Sequence, residues 1–119
     1  MLNLQIYMGK KNFDTQKAIR FFKERRIRVQ EMDLKKHPLG EREVQTFARG
    51  VGGARALLDL DDPKVQGHTA AHNDDPDYIL SAIREDPWLM RTPVVRNGNR
   101  VTVGYCPDTW EEWIRAEKA

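Results

Sequence analysis

The sequence predicts an α/β fold built on a mixed four-stranded sheet, and three observations carry that expectation. A strand-like alternation at the start of the chain passes directly into a helical pattern and then into a second apolar run. Near the other end, an Asn-Gly pair sits between two β-rich runs, the mark of a two-residue hairpin. A Pro-led amphipathic segment closes the chain.

In order, Leu2, Leu4 and Ile6 alternate with Asn3, Gln5 and Tyr7, which reads as a first strand with Tyr7 on the polar side. The stretch Tyr7 to Ala18 is then a strand-to-helix junction. Asn12 and Asp14 are both good N-cap residues, and whatever stands at Asn12 to Thr15 feels the unpaired N–H groups and positive dipole of a helix start. From Asp14 to Arg26, Thr15, Ala18, Ile19 and Phe22 recur at helical spacing with Phe21 beside them. Ile27, Val29, Met32 and Leu34 supply a second strand, parallel to the first.

His37-Pro38-Leu39-Gly40 breaks the chain, and a helix resumes at Glu41 with Val44, Phe47 and Ala48 on one face, ended by Gly50, Gly52 and Gly53. Ala54 to Leu58 reads as one or two helical turns. Asp59 to Asn73 is polar and aperiodic, a long surface loop. A helix from Asp77 to Glu85 follows Pro76 and buries Tyr78, Ile79, Ala82 and Ile83, with a short turn from Pro87 to Met90. Val94 to Val103 is the hairpin, turning at Asn97-Gly98. The last helix starts at Pro107 and packs Trp110, Trp113 and Ile114 on the sheet. Strand, helix, strand, helices, hairpin, helix is the order of a thioredoxin-like fold with a helical insertion. An X-Pro bond at Thr92-Pro93, starting the third strand, would face the first helix's N-terminus.

Composition narrows the function classes. A chain of 119 residues with 39% hydrophobic and 32% charged residues is one domain with a modest core and a solvated surface. No apolar run approaches the roughly 20 residues that span a bilayer, and the start of the chain does not resemble a signal peptide, so a cytoplasmic location is expected. A net charge of +2 from 20 basic and 18 acidic residues interleaved does not make a phosphate-tracking surface, so no direct nucleic-acid binding is expected. One cysteine, Cys106, allows no intrachain disulfide and fits a reducing compartment.

The chain resembles the arsenate reductase and Spx family, the ArsC family, over essentially its whole length. The resemblance rests on Ile6-Tyr7, Lys10 to Ala18, Asp33-Leu34-Lys35-Lys36 before Pro38-Leu39, Asp86 to Val95, and Val103-Gly104-Tyr105, in that order and spacing. It implies a glutaredoxin-like, thioredoxin-fold core over about 1–37 and 91–119, a helical insertion over about 38–90, and a cis-proline at Pro93. It also implies a reactive cysteine at a position that here is Asn12, or Phe13 under a gapped alignment, and in Spx-type members a second one where Thr15 stands. A carboxamide neither ionises nor serves as a nucleophile. The three arginines that family arsenate reductases use for the oxyanion correspond to Asp59, Thr92 and Val103, a repelling carboxylate and two uncharged groups. Arg55, Arg91 and Arg100 lie nearby in sequence as partial substitutes or as solvated surface.

Two function classes follow. The first is a binding or regulatory module with a degenerate redox site, whose ligand-binding candidates are Lys11, Asn12, Phe13, Thr15, Arg91, Thr92 and Pro93. The Spx resemblance makes the RNA polymerase α subunit a candidate partner. The second is a thiol-dependent reductase of the arsenate reductase class, linked to glutathione and glutaredoxin, using glutathione or Cys106 as the thiol or carrying a substituted residue at position 12. No cofactor is expected, and glutathione is the one small-molecule candidate. No metal is expected, because His68 and His72 fall in the aperiodic stretch without a third ligand. Cys106 is either a reactive thiol or a small packing residue. Trp110 and Trp113 read as core aromatics, and Trp88, between Pro87 and Met90, as core or as part of a partner-binding patch.

Overall fold

The computed structural model describes residues 2–9 and 11–118. Four strands, β1 (Leu4–Met8), β2 (Val29–Asp33), β3 (Val94–Asn97) and β4 (Arg100–Val103), form one sheet in the order β2-β1-β3-β4. The β1·β2 pair is parallel, which requires a crossover, and helix α1 (Phe13–Glu24) supplies it. The β1·β3 and β3·β4 pairs are antiparallel, with Ile6 opposite Val95 and Val95 opposite Thr102. The remaining helices are α2 (Glu41–Val51), α3 (Pro63–Gln66), α4 (Pro76–Glu85) and α5 (Pro107–Lys118), with 3₁₀ turns at Ala54–Leu57, Thr69–His72 and Pro87–Leu89.

Both faces of the sheet are covered. Leu4, Ile6 and Val95 pack on Ala18, Phe21 and Phe22 of α1 and on Trp110, Trp113 and Ile114 of α5. On the other face, Tyr7, Val94 and Val101 meet Val44 and Phe47 of α2, Ile79 and Ile83 of α4, and Leu57 and Leu89 of the turns. This corrects the placing of Tyr7 on a polar side. A residue that alternates out of one core enters a second one, and Tyr7 is only 1% exposed. Its hydroxyl donates to Glu43 Oε2 at 2.8 Å, while His37 Nε2 lies 3.1 Å from the same oxygen and Gly40 N–H donates to Oε1 at 2.9 Å. Burial pushes the Tyr7 hydroxyl up to about 12, and the neighbouring carboxylate adds to the effect. Burial also works against the Glu43 carboxylate, yet the Gly40, Tyr7 and His37 donors together hold its carboxyl below the usual range.

Four other expectations need correction. Asp59 to Asn73 is not a bare loop: Asp62 caps α3 by accepting from Lys64 N–H at 2.9 Å, and His68 Nδ1 caps the next 3₁₀ turn by accepting from Ala70 N–H at 3.0 Å. Val65 and Ala70 are fully buried there, anchors too sparse to register as a period. The hairpin turns at Gly98-Asn99, because Asn97 pairs with Arg100 and Gly98 takes the positive φ of +64° that the first loop position needs. Tyr78 lies on the outer side of α4, its hydroxyl 2.6 Å from Thr69 Oγ1, and Leu80 is buried instead. Gly50 does not end α2. It lies within the helix, where a Cβ would come within 2.7 Å of Val101 Cβ on β4, and the left-handed cap is Gly52 at φ +92°.

Candidate functional site

The site is assembled where β1 gives way to α1. Asn12, in extended conformation, caps the helix: its Oδ1 accepts from Thr15 N–H at 2.7 Å and its carbonyl accepts from Gln16 N–H at 3.2 Å. The other end of the same carboxamide reaches across the molecule. Its Nδ2 donates to Thr92 Oγ1 at 2.9 Å and stands 3.4 Å from the Thr92 carbonyl. The Thr92–Pro93 peptide bond is cis, and Pro93 accepts from Gly104 N–H at 2.9 Å. The structure thus brings together Asn12, Thr15, Thr92 and Pro93, residues 80 positions apart in the case of the Asn12–Thr92 pair.

Around this tie stand groups of mixed character. Phe13, the first helical residue, is 79% exposed, and Lys11 is exposed before it. Thr15 Oγ1 is buried and has no hydrogen-bond partner among the described residues. Arg91 projects its guanidinium over Gly104, within 3.2 Å of where a Cβ would be, and 3.8 Å from Asp14 Oδ2. Gly104 also takes φ +82°, so a side chain there is excluded twice. The Arg91 charge at the helix end is therefore countered by a carboxylate of the same helix turn.

The other sequence candidates do not join the site as anion ligands. Arg55 Nη1 is spent on the Ala71 carbonyl at 2.9 Å, and Arg100 is exposed on the hairpin, paired in register with Asn97. Asp59 N–H donates to the Leu89 carbonyl, and Val103 packs against the core. Arg91 is thus the one of the three nearby arginines that reaches the helix end. Cys106 is half-buried beside the α1–α5 core, its thiol 3.4 Å from the Val103 carbonyl. Burial pushes that thiol up, outweighing the opposing Arg91 charge and the Val103 hydrogen bond, and Asp14 adds to the rise, so Cys106 is protonated at neutral pH. His68 and His72 diverge: His68 Nε2 lies 3.6 Å from Asp86 Oδ2, whereas His72 Nε2 lies 2.7 Å from the Gln66 carbonyl. Among the described residues no group of His, Cys, Asp and Glu could hold a metal ion, and no helix is long and apolar enough to cross a membrane.

Sequence reasoning missed how the tie opens on a groove. Leu34, Lys35, Pro87, Trp88, Met90 and Thr92 line a largely apolar cleft of about 230 Å³ beside the junction. Trp88 is 38% exposed there, unlike the buried Trp110 and Trp113. The Pro87-Trp88-Met90 cluster was its only signal in sequence, since Leu34 and Thr92 come from distant segments.

A parallel βαβ unit, an antiparallel hairpin beside it and a helix N-terminus facing a cis-proline define a protein of the thioredoxin-fold class. The chain belongs to the ArsC family, whose model matches residues 7–113. Among solved structures it is similar to an arsenate reductase from Vibrio cholerae, at 16% identity and a TM-score of 0.80 over 93% of this chain and 97% of that one. The YffB protein matches at 19% identity and a TM-score of 0.78, over 92% and 97% of the two chains. An arsenate reductase (ArsC) related protein from Brucella melitensis matches at 20% identity and a TM-score of 0.68, over 94% of each chain. No curated protein matches the chain in sequence.

Proposed function

We propose that this chain is a cytoplasmic binding or regulatory member of the ArsC family with a degenerate redox site, holding its ligand at the α1 N-terminus without covalent chemistry. The observation that supports this reading is the carboxamide of Asn12. It stands where the family resemblance puts the attacking thiol, and both its ends are engaged, one by Thr15 N–H and the other by Thr92. An amide so placed offers no nucleophile, and the protonated, half-buried Cys106 does not replace one. What the junction still offers is exposed Phe13 beside a helix start, Lys11, and the Thr92 edge of the groove. A protein segment or a small anionic thiol such as glutathione suits that mixture. By the Spx resemblance, the RNA polymerase α subunit is the first protein to try.

The test has two arms. The purified protein, supplied with arsenate, glutathione and glutaredoxin, is expected to show no turnover above a buffer blank; clear turnover would establish the thiol-reductase alternative. Backbone amide spectra recorded during titration with glutathione, and separately with the α subunit, are expected to move Asn12 to Gln16 and Arg91 to Val94 together for at least one of the two. Shifts confined to other regions, or none at millimolar ligand, would refute binding at this junction.

A further inference from the structure

Trp88 lines the groove and is held there by contacts that do not involve the helix end. Its ring meets the His68 ring at 5.8 Å and 81°, an edge-on packing. His68 cannot turn freely, since Nδ1 accepts from Ala70 N–H and Nε2 faces Asp86 Oδ2 at 3.6 Å. A large aromatic that is part-exposed yet already ordered loses little freedom on contact with a partner. The lining of the same groove carries one charged side chain, Lys35, which has no ion-pair partner among the described residues. Asp86, the nearest acid to Trp88 in sequence, faces His68. The cleft of about 230 Å³ is smaller than the roughly 300–1,000 Å³ of sites for drug-sized molecules, and fits one bulky side chain.

From this juxtaposition we infer that the groove between Trp88 and Lys35 docks a peptide segment of a partner protein, taking one large apolar side chain against Trp88, Met90 and Leu34 and pairing an adjacent carboxylate with Lys35. The inference rests on the binding-module reading and specifies the partner's chemistry. Thr92 lines the groove and also accepts from Asn12, so a docked segment runs on toward the helix end. An apolar contact supplies the attraction and the single cation sets the direction and the choice of sequence.

The probe is a blocked pentapeptide, Ser-Gly-Phe-Glu-Ser, with two altered forms carrying Ala for Phe or Lys for Glu. Each is titrated to several millimolar into the full chain while indole and backbone amide signals are followed. The Phe-Glu peptide is expected to saturate and to move the Trp88 indole, with at least fivefold weaker binding for both altered peptides. Trp88→Ala is expected to abolish saturation. Lys35→Glu, an exposed change that spares the core, is expected to reverse the preference in favour of the Phe-Lys peptide. Absence of saturable binding, or binding indifferent to both substitutions, overturns the groove proposal. Two outcomes separate it from the reading beneath it. Glutathione shifts at Asn12 to Gln16 that persist when no peptide binds would leave the helix-end reading standing and this proposal overturned. Saturable peptide binding that depends on Trp88 and leaves Asn12 to Gln16 unmoved would support the groove alone.

Discussion

At the scale of single residues, the chemistry of the site is set by what Asn12 is and by what it holds. Replacing it by cysteine places a thiol at a helix start, where N–H donors and the dipole lower a thiol pKa. Asn12→Cys is therefore expected to alkylate with iodoacetamide at pH 7 about tenfold or more faster than the single Cys106 of the parent chain. It is not expected to reduce arsenate, since Asp59, Thr92 and Val103 bring no cation. Efficient arsenate turnover by this variant would show that Arg91 suffices. A second residue-scale effect concerns Tyr7. Its hydroxyl loses a proton near 10 when unfolded and near 12 when folded. The folded state therefore binds more protons over that interval, and the contribution is whole below pH 10 and lost as pH rises through 12. That difference sets a ceiling of about 3 kcal/mol on the loss. Tyr7→Phe costs about 1 kcal/mol at neutral pH through the missing Glu43 bond, and is expected to flatten the alkaline decline. Denaturant midpoints for the two proteins between pH 9 and 12 check this, and parallel curves would contradict it.

At the scale of elements, packing rather than propensity fixes the less obvious choices. Gly50 is inside α2 because the helix lies so close to β4 that a methyl group would meet Val101 at 2.7 Å. Gly50→Ala gains about 1 kcal/mol of helix propensity but incurs about 1–3 kcal/mol of overpacking. The net loss is expected to lower the thermal midpoint by a few degrees; a midpoint that rises would mean that α2 shifts freely on the sheet. The elements legible in sequence were those with an unbroken period, such as α1 with Ala18 and Phe22, or with local turn chemistry, such as the hairpin. Those that were not owe their form to distant partners. Val65 and Ala70 are buried by contacts that no local pattern announces, and Tyr7 is polar-facing only if the sheet has one covered side. The turn slipped by one residue because both Asn97-Gly98 and Gly98-Asn99 are acceptable pairs, and only the register Asn97 to Arg100 decides between them.

At the scale of the molecule, the candidate site was half readable. The helix cap and its neighbours follow from Asn12 to Thr15 by local rules, whereas the Thr92 contact and the Leu34–Trp88 groove join segments that only the fold brings together. That same arrangement governs how the protein can be made. β1 lies between β2 and β3, and one of these neighbours is synthesised late: Leu4 pairs with Asn97, 93 residues further along the chain. A nascent chain that has already formed α1 and β2 still exposes the apolar side chains Leu4 and Ile6 that β3 and α5 will share in covering. The chain therefore passes through its synthesis with an open strand edge at its centre, dependent on late, non-local pairing and, until that pairing, susceptible to wrong association with its neighbours.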